Sequence, residues 1–157
     1  MNVKSIFDRY KVQIADDKIY DPIRQINLRI TPEEIVRQKT IKFLMKRLGV
    51  PEDKIIVERG LNTLGVEGVK RRIDIGILDE EGLLMAVVEC KASLTHNGEA
   101  AFIQAQEYLL DLNTRYFFVT DGVTFSGWYY DTIQNIQLDV IPKYEKWYNY
   151  PVAGGEK

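Results

Sequence analysis

The chain has 157 residues, of which 45% are hydrophobic and 28% are charged, and its formal net charge is −2. These values are ordinary for one soluble globular domain with a substantial core. A single cysteine excludes an intramolecular disulfide, and one histidine with one cysteine is too few for a zinc site built on several such ligands. The weakly acidic balance does not by itself indicate a nucleic-acid binder.

The sequence has no apolar run that approaches the roughly 20 residues of a membrane helix, so we expect no membrane contact. The first residues lack the apolar centre of a signal peptide, and the low cysteine content is typical of a reducing, cytoplasmic setting. We expect a single domain over residues 1–157. Its core is expected over about residues 30–141, between an N-terminal β element and an aromatic C-terminal tail.

Residues 3–30 predict the N-terminal β element. Residues 10–14 alternate, Asp16 and Asp17 can turn the chain, and residues 18–20 can return. Pro22 argues against a central strand at that point, because proline has no amide hydrogen to donate.

A helix is predicted over residues 31–48. Thr31 can cap its first turn, Glu34 lies three residues after the cap, and Gly49 is the expected stop. Glu34 and Gln38 share the inward stripe of this helix with the apolar residues that follow. Glu34 therefore serves the cap, points from the first turn into a cleft, or does both.

Two adjacent strands are predicted at residues 71–78 and 83–91, joined by a tight turn at residues 79–82. A further strand at residues 54–59 precedes them. Since strand side chains alternate between faces, Glu89 and Lys91 are expected on the same face, at the end of a strand whose body lies in the core. Charged groups at such a position are costly unless they pair or hold a metal.

A second helix is predicted over residues 98–112, with Gln104 and Tyr108 on one face because they are four residues apart. Strands follow at residues 116–120 and 123–130, joined by a hairpin turn at Asp121-Gly122. A last strand is expected at residues 136–140.

The order of elements predicts an α/β fold with a mixed central sheet flanked by helices. The sequence contains neither G-x-G-x-x-G after a strand nor G-x-x-x-x-G-K-[S/T]. We therefore expect no dinucleotide site and no ATP site.

The polar residues at the strand ends predict a site for a hard divalent cation. Asp74 and Glu89 can ligate it, together with the backbone carbonyl of Cys90 and waters, which is the kind of shell that Mg2+ prefers. Mn2+ is a possible substitute. Glu34 can bind the cation through a water, and Lys91 can position or deprotonate a water or meet charge on phosphoryl oxygens. The structural alternative is a salt-bridged strand end.

Other residues have support roles in this hypothesis. Gln104 and Tyr108 can hold the strand or a phosphate near the metal. Arg71 and Arg72 form a small basic cluster beside the acid of their strand, where they contact a DNA backbone or are simply solvated. His96 is a solvated loop residue or a phosphate contact.

Several stretches together resemble the PD-(D/E)xK nucleases, and in particular the N-terminal nuclease domain of the restriction subunit of type I restriction–modification enzymes. The resemblance covers about residues 30–131. It rests on T-P-E-E-I-V-R-Q at residues 31–38, R-I-D-I at 72–75, V-V-E-C-K-A at 87–92, Q-A-Q-E-Y at 104–108 and V-T-D-G at 119–122, followed by Phe125 and Trp128.

The resemblance implies a restriction-endonuclease-like core and a domain that cleaves double-stranded DNA with Mg2+. It implies metal binding by Asp74 and Glu89, a catalytic role for Lys91, assistance from Glu34, and support from Gln104 and Tyr108. Family members act beside a helicase motor, and no motor lies within this sequence. Motor or specificity subunits acting in trans and a homodimer are possible partners.

Two alternatives remain open. One is a nuclease-fold module that binds DNA or a partner without catalysis. The other keeps catalysis but acts on branched or RNA-containing structures.

Overall fold

The structure, a computed structural model, describes residues 9–60, 63, 72–91, 114–130 and 135–148. The predicted helix at residues 98–112, with Gln104 and Tyr108, lies outside these residues, as do Arg71 and His96. Within the described part, no helix is long and apolar enough to cross a membrane.

The N-terminal β element is a small antiparallel sheet with the strand order β1-β2-β3 (Ile14–Ala15, Lys18–Asp21 and Ile26–Arg29). Asp16 and Asp17 form the predicted turn with φ of +53° and +61°, values that suit a tight hairpin. β2 is the central strand despite the expectation from Pro22, because it ends one residue before the proline. The third strand, β3, lies within the predicted β element of residues 3–30, although no separate strand is predicted there.

The predicted first helix is present as α1, Pro32–Lys46. Its first turn is capped as expected, since the Thr31 hydroxyl accepts a hydrogen bond from the Glu34 amide at 3.0 Å. Glu34 and Gln38 are buried on the same side as Ile41. Gly49 follows the helix with φ of +75°, a conformation that favours glycine and stops the helix.

The main sheet is mixed, which confirms the predicted α/β class. It has six strands in the order β4-β5-β6-β7-β8-β9, and the β6–β7 pair alone is parallel among the described pairs. The strands are Ile55–Gly60, Arg72–Leu78, Leu84–Cys90, Tyr116–Thr120, Phe125–Tyr130 and Asn135–Leu138. A short 3-10 turn, Glu52–Lys54, leads into β4.

Two short turns join neighbouring strands as predicted. Between β5 and β6, the Asp79 carboxylate accepts hydrogen bonds from the amides of Glu81 and Leu83 at 2.8 and 2.9 Å. Between β7 and β8, the Asp121 carboxylate does the same for Val123 and Thr124 at 2.9 and 2.7 Å. Aspartate at the start of a turn thus sets the register of each strand pair.

One face of the main sheet packs against α1 to form the largest part of the core. A C-terminal segment containing the 3-10 turn Tyr144–Lys146 joins this core, and Trp147 within it is fully buried. Packing therefore continues past residue 141, where the sequence predicts the core to end.

Candidate active site

The ladder between β5 and β6 ends at the pair Ile75 and Val88. One further step in that register places Asp74 opposite Glu89, so the two carboxylates belong to the same face of the sheet. The Asp74 side chain replaces a backbone carbonyl as the acceptor at this point, because its Oδ2 accepts a hydrogen bond from the Cys90 amide at 2.8 Å. Asp74 is thereby fixed at the end of β6.

The carbonyl of Cys90 is directed toward the same side of β6 as Asp74. The amide of Lys91 donates to the carbonyl of Thr120 on β7 at 2.9 Å. In a trans peptide the preceding carbonyl points the opposite way. The Cys90 carbonyl is therefore directed away from β7 and toward β5.

Glu89 and Lys91 lie on one face of β6, as the alternation predicts, and they form an ion pair with 3.7 Å between Oε2 and Nζ. The Glu89 side chain is 7% exposed, whereas the Lys91 side chain is 43% exposed. The carboxylate is thus held in the protein while the ammonium group reaches solvent.

The Glu34 carboxylate lies inside the protein and is held from two sides. Its Oε1 accepts from Arg37 at 2.5 Å, and its Oε2 accepts from the Gln38 amide nitrogen at 3.0 Å. Gln38 therefore positions Glu34 directly. Both residues come from the inward stripe that the sequence indicates.

Arg37 is the residue that sequence reasoning missed. Its side chain is 4% exposed, and its Nη2 lies 3.3 Å from Asp74 Oδ1, 3.1 Å from Glu58 Oε1 and 3.5 Å from Glu33 Oε1. With Glu34, four carboxylates surround one guanidinium. The available signal was its spacing, because Arg37 follows Glu34 by three residues and so shares its side of the helix.

A second arginine, Arg24, ties the N-terminal sheet to the same cluster. It lies 2.7 Å from Asp21 Oδ2, 3.2 Å from Glu58 Oε2 and 3.6 Å from Glu34 Oε2. Glu58 has φ of +50°, which is strained for a glutamate. In this backbone conformation, the Glu58 carboxylate contacts the guanidinium groups of both Arg24 and Arg37.

The pKa values of Arg37 and Cys90 follow from burial and charge. Burial alone would lower the pKa of Arg37, but the carboxylates of Glu34, Asp74 and Glu58 outweigh it and raise the pKa. Arg37 therefore stays charged. Burial, followed by the charge of Asp74, raises the pKa of the Cys90 thiol, which stays protonated.

The charge of the cluster is not balanced within the described residues. Five carboxylates contact two guanidinium groups, which leaves a formal charge of −3; the five are Asp21, Glu33, Glu34, Glu58 and Asp74. Over the described part of the chain, no three His, Cys, Asp or Glu side chains are grouped to hold a metal ion. The oxygen donors at the end of the β5–β6 ladder are the Asp74 and Glu89 carboxylates and the Cys90 carbonyl.

The family model described as "Type I restriction enzyme R protein N terminus (HSDR_N)" matches residues 32–142, which is more than half of the chain. The chain belongs to this family. Residues 32–142 include α1, the main sheet and every described member of the acidic cluster except Asp21 and Arg24. Asp21 is the last residue of β2, and Arg24 lies in the turn that follows it.

Two solved structures of restriction enzymes match this chain. A fragment from Vibrio vulnificus YJ016, described as an HsdR subunit of a type I restriction enzyme, matches with a TM-score of 0.51 and 18% identity. The match covers 74% of this chain and 24% of that chain. The type IIG restriction endonuclease BpuSI matches with a TM-score of 0.45 and 14% identity, over 61% of this chain and 11% of that chain. No curated protein matches.

The predicted site residues of this HSDR_N chain fall into three sets. Glu34, Gln38, Asp74, Glu89, Cys90 and Lys91 lie on α1 and at the ends of β5 and β6. Arg72 is exposed at the first position of β5, two residues before Asp74. Arg71, Gln104 and Tyr108 lie outside the described residues.

Proposed function

We propose that this chain is a Mg2+-dependent nuclease domain that hydrolyses phosphodiester bonds of double-stranded DNA. The observation that carries the proposal is the common face of Asp74 and Glu89 at the end of the β5–β6 ladder, with Lys91 beside them. Membership of the HSDR_N family supports a role in a restriction system. Cleavage of DNA in the cytoplasm is the activity that fits both the arrangement of these residues and the family membership.

The donor set fits a hard divalent cation. Two carboxylates, Asp74 and Glu89, and the Cys90 carbonyl provide the oxygen ligands that Mg2+ takes together with several waters. The excess negative charge around Arg37 also favours a cation at this place. Bound there, Mg2+ or Mn2+ would polarise the phosphodiester and lower the pKa of a water.

The protein residues have separate parts in this reaction. The exposed Lys91 ammonium holds the attacking water or meets the charge that develops on the phosphoryl oxygens. Glu34 reaches the site through a water, from the position that Arg37 and Gln38 fix. Arg72, exposed beside the site, contacts the DNA backbone, as do Arg71, Gln104 and Tyr108 where the chain continues.

A plasmid-cleavage assay with Mg2+ or Mn2+ tests the proposal. We expect wild-type protein to nick or linearise the plasmid, EDTA to stop the reaction, and Glu89→Gln and Lys91→Ala to lower the rate about 100-fold or more. Glu81→Gln and Lys46→Ala are matched controls, because they change an exposed acid and an exposed lysine away from the site. Equal rates for wild type and both site variants would contradict the proposal.

A second candidate is a nuclease-fold module that binds DNA or a partner subunit without cutting. The arrangement that favours it is the guanidinium of Arg37 among the carboxylates, in a position where a cation would be expected. Salt-dependent DNA binding without cation-dependent cleavage of linear, branched or RNA-containing substrates would support this candidate. In that case, motor or specificity subunits in trans, or a second copy of the chain, would supply the activity that this domain lacks.

A further inference from the structure

Asp74 has two differently held oxygens. Oδ2 accepts the Cys90 amide, which fixes the carboxylate to the backbone of β6. Oδ1 faces Arg37 Nη2 at 3.3 Å. The orientation of Asp74 therefore does not require Arg37, and the arginine acts on Asp74 through its charge.

A metal cation bound to Asp74 would contact Asp74 Oδ1, which is the oxygen that faces the Arg37 guanidinium. The two cations would therefore compete for the same negative charge. Both are positive, and the Arg37 side chain is 4% exposed, so water screens their repulsion poorly. Close approach of a divalent cation to Asp74 Oδ1 thus requires Arg37 to yield that contact.

Arg37 keeps other partners if it gives up its contact with Asp74. Glu34 Oε1 lies at 2.5 Å from Nη1, and Glu58 Oε1 and Glu33 Oε1 lie at 3.1 and 3.5 Å from Nη2. A shift away from Asp74 therefore leaves no buried unpaired charge. This makes the exchange of a protein cation for a metal cation physically feasible.

We propose that Arg37 is a built-in counter-ion of the acidic cluster, which holds Glu34, Glu58 and Asp74 together without a divalent cation and competes with that cation for Asp74. Arg37 is then a positioning residue that sets the cation affinity. The inference rests on the proposed function, because it assumes that Asp74 binds the cation.

The direction of the change in Mn2+ affinity separates this role of Arg37 from a purely structural role. Mn2+ affinity is measured by the loss of the free-ion signal in electron paramagnetic resonance. Arg37→Gln is expected to bind Mn2+ about tenfold more tightly than wild type, because it removes a poorly screened positive charge 3.3 Å from Asp74 Oδ1. Loss of a structural support would weaken binding instead.

Thermal unfolding gives a second readout on the same proteins. Arg37→Gln is expected to melt below wild type without metal, since the carboxylates then repel one another. Its rise in Tm on adding Mn2+ is expected to exceed the rise in wild type, because metal replaces the missing charge. An equal or smaller rise would overturn the inference.

Arg24→Gln is the matched control. It removes a second guanidinium from the cluster, one that contacts Asp21, Glu34 and Glu58. Since its described partners do not include Asp74, the expected change in Mn2+ affinity is clearly smaller. An equal change in both variants would overturn a specific role for Arg37.

Asp74→Asn distinguishes the two proposals. If it leaves wild-type Mn2+ binding unchanged, the metal site of the proposed function fails. If it abolishes binding while Arg37→Gln binds no more tightly than wild type, the site stands and the counter-ion role fails.

Wild-type protein provides a test that needs no stable variant at position 37. In a Mg2+ titration followed by nitrogen-15 magnetic resonance, the Arg37 Nε–H and the Cys90 amide are expected to shift with the same saturation curve. The Arg37 signal is assigned in wild-type protein through its scalar couplings along the Arg37 side chain to the backbone. A Cys90 amide that shifts while Arg37 stays constant would overturn the inference.

Discussion

Asp21 is kept ionised by hydrogen-bond donors that the fold places around it. Asp21 is fully buried, yet its carboxylate accepts the amides of Ile23 and Arg24 at 2.8 and 3.0 Å and the Arg24 Nε at 2.7 Å. Burial raises the pKa of Asp21, but these bonds, with one from Gln38, outweigh it and lower the pKa. Asp21 thus anchors the turn that carries Arg24 toward the site.

The lowered pKa of Asp21 gives a pH-dependent contribution to stability. The contribution is present above the unfolded pKa of about 4 and is lost as the pH falls through the lower folded pKa. Asp21→Asn is therefore expected to lower Tm at pH 7 and to show a smaller further loss than wild type between pH 5 and pH 2.5.

Melting curves across this pH range provide the measurement. Asp139→Asn, at an exposed aspartate, is the control and should follow wild type. A wild-type slope in Asp21→Asn would show that the buried ion pair does not contribute.

Among the elements, the pairing of β7 with β8 depends on one glycine. Gly127 lies directly opposite Phe118 in the ladder, and Phe118 is fully buried. A Cβ at position 127 would come within 2.6 Å of Phe118 Cδ1 and 2.8 Å of Ile141 Cδ1. The missing side chain therefore makes room for the ring that fills the core.

Gly127→Ala is expected to destabilise the domain by about 1–3 kcal/mol, because a buried ring has little space in which to move. Urea unfolding monitored by circular dichroism measures the change. Ser126→Ala, at the half-buried neighbouring position on β8, is the control. A midpoint for Gly127→Ala that equals the control would mean that Phe118 repacks without cost.

Across the whole molecule, the segment after the last strand closes the core. Trp147 is fully buried against Tyr116, Phe118 and Tyr144, with ring centroids 5.3 to 5.4 Å apart. Hydrogen bonds fix the segment at several points: Tyr116 donates to the Trp147 carbonyl, Tyr144 to the Leu78 carbonyl, and the Tyr144 amide to the Leu48 carbonyl, at 2.7 to 2.8 Å. The segment thus connects β5, β7 and the end of α1.

Trp147→Ala is expected to cost about 3–5 kcal/mol of unfolding free energy, because it leaves a large cavity among rings. Chemical denaturation measures this loss. Tyr148→Phe removes an exposed hydroxyl that accepts the Glu80 amide and should change stability little. A similar small effect for both variants would contradict a structural role for the segment.

Local patterns predicted most of the elements of this protein because their causes are local. The cap at Thr31, the two aspartate turns and the alternation of β5 and β6 depend on neighbours within four residues. The same alternation placed Glu89 with Lys91 on one face. No separate strand is predicted at residues 26–29, although Ile-Asn-Leu-Arg alternates apolar and polar residues, because four residues form only a short pattern.

The sequence by itself thus determined the α/β class, the first helix, the order of the described strands after it and the acids at the ends of β5 and β6. Only the tertiary structure decided what those acids contact. Arg37 meets Asp74 across 37 residues, and Arg24 meets Glu58 across 34, so no local pattern marks either pair. The burial of Trp147 likewise depends on strands that are distant in sequence. Long-range contacts form when packing brings separate elements together, and their partners are therefore read from the folded chain.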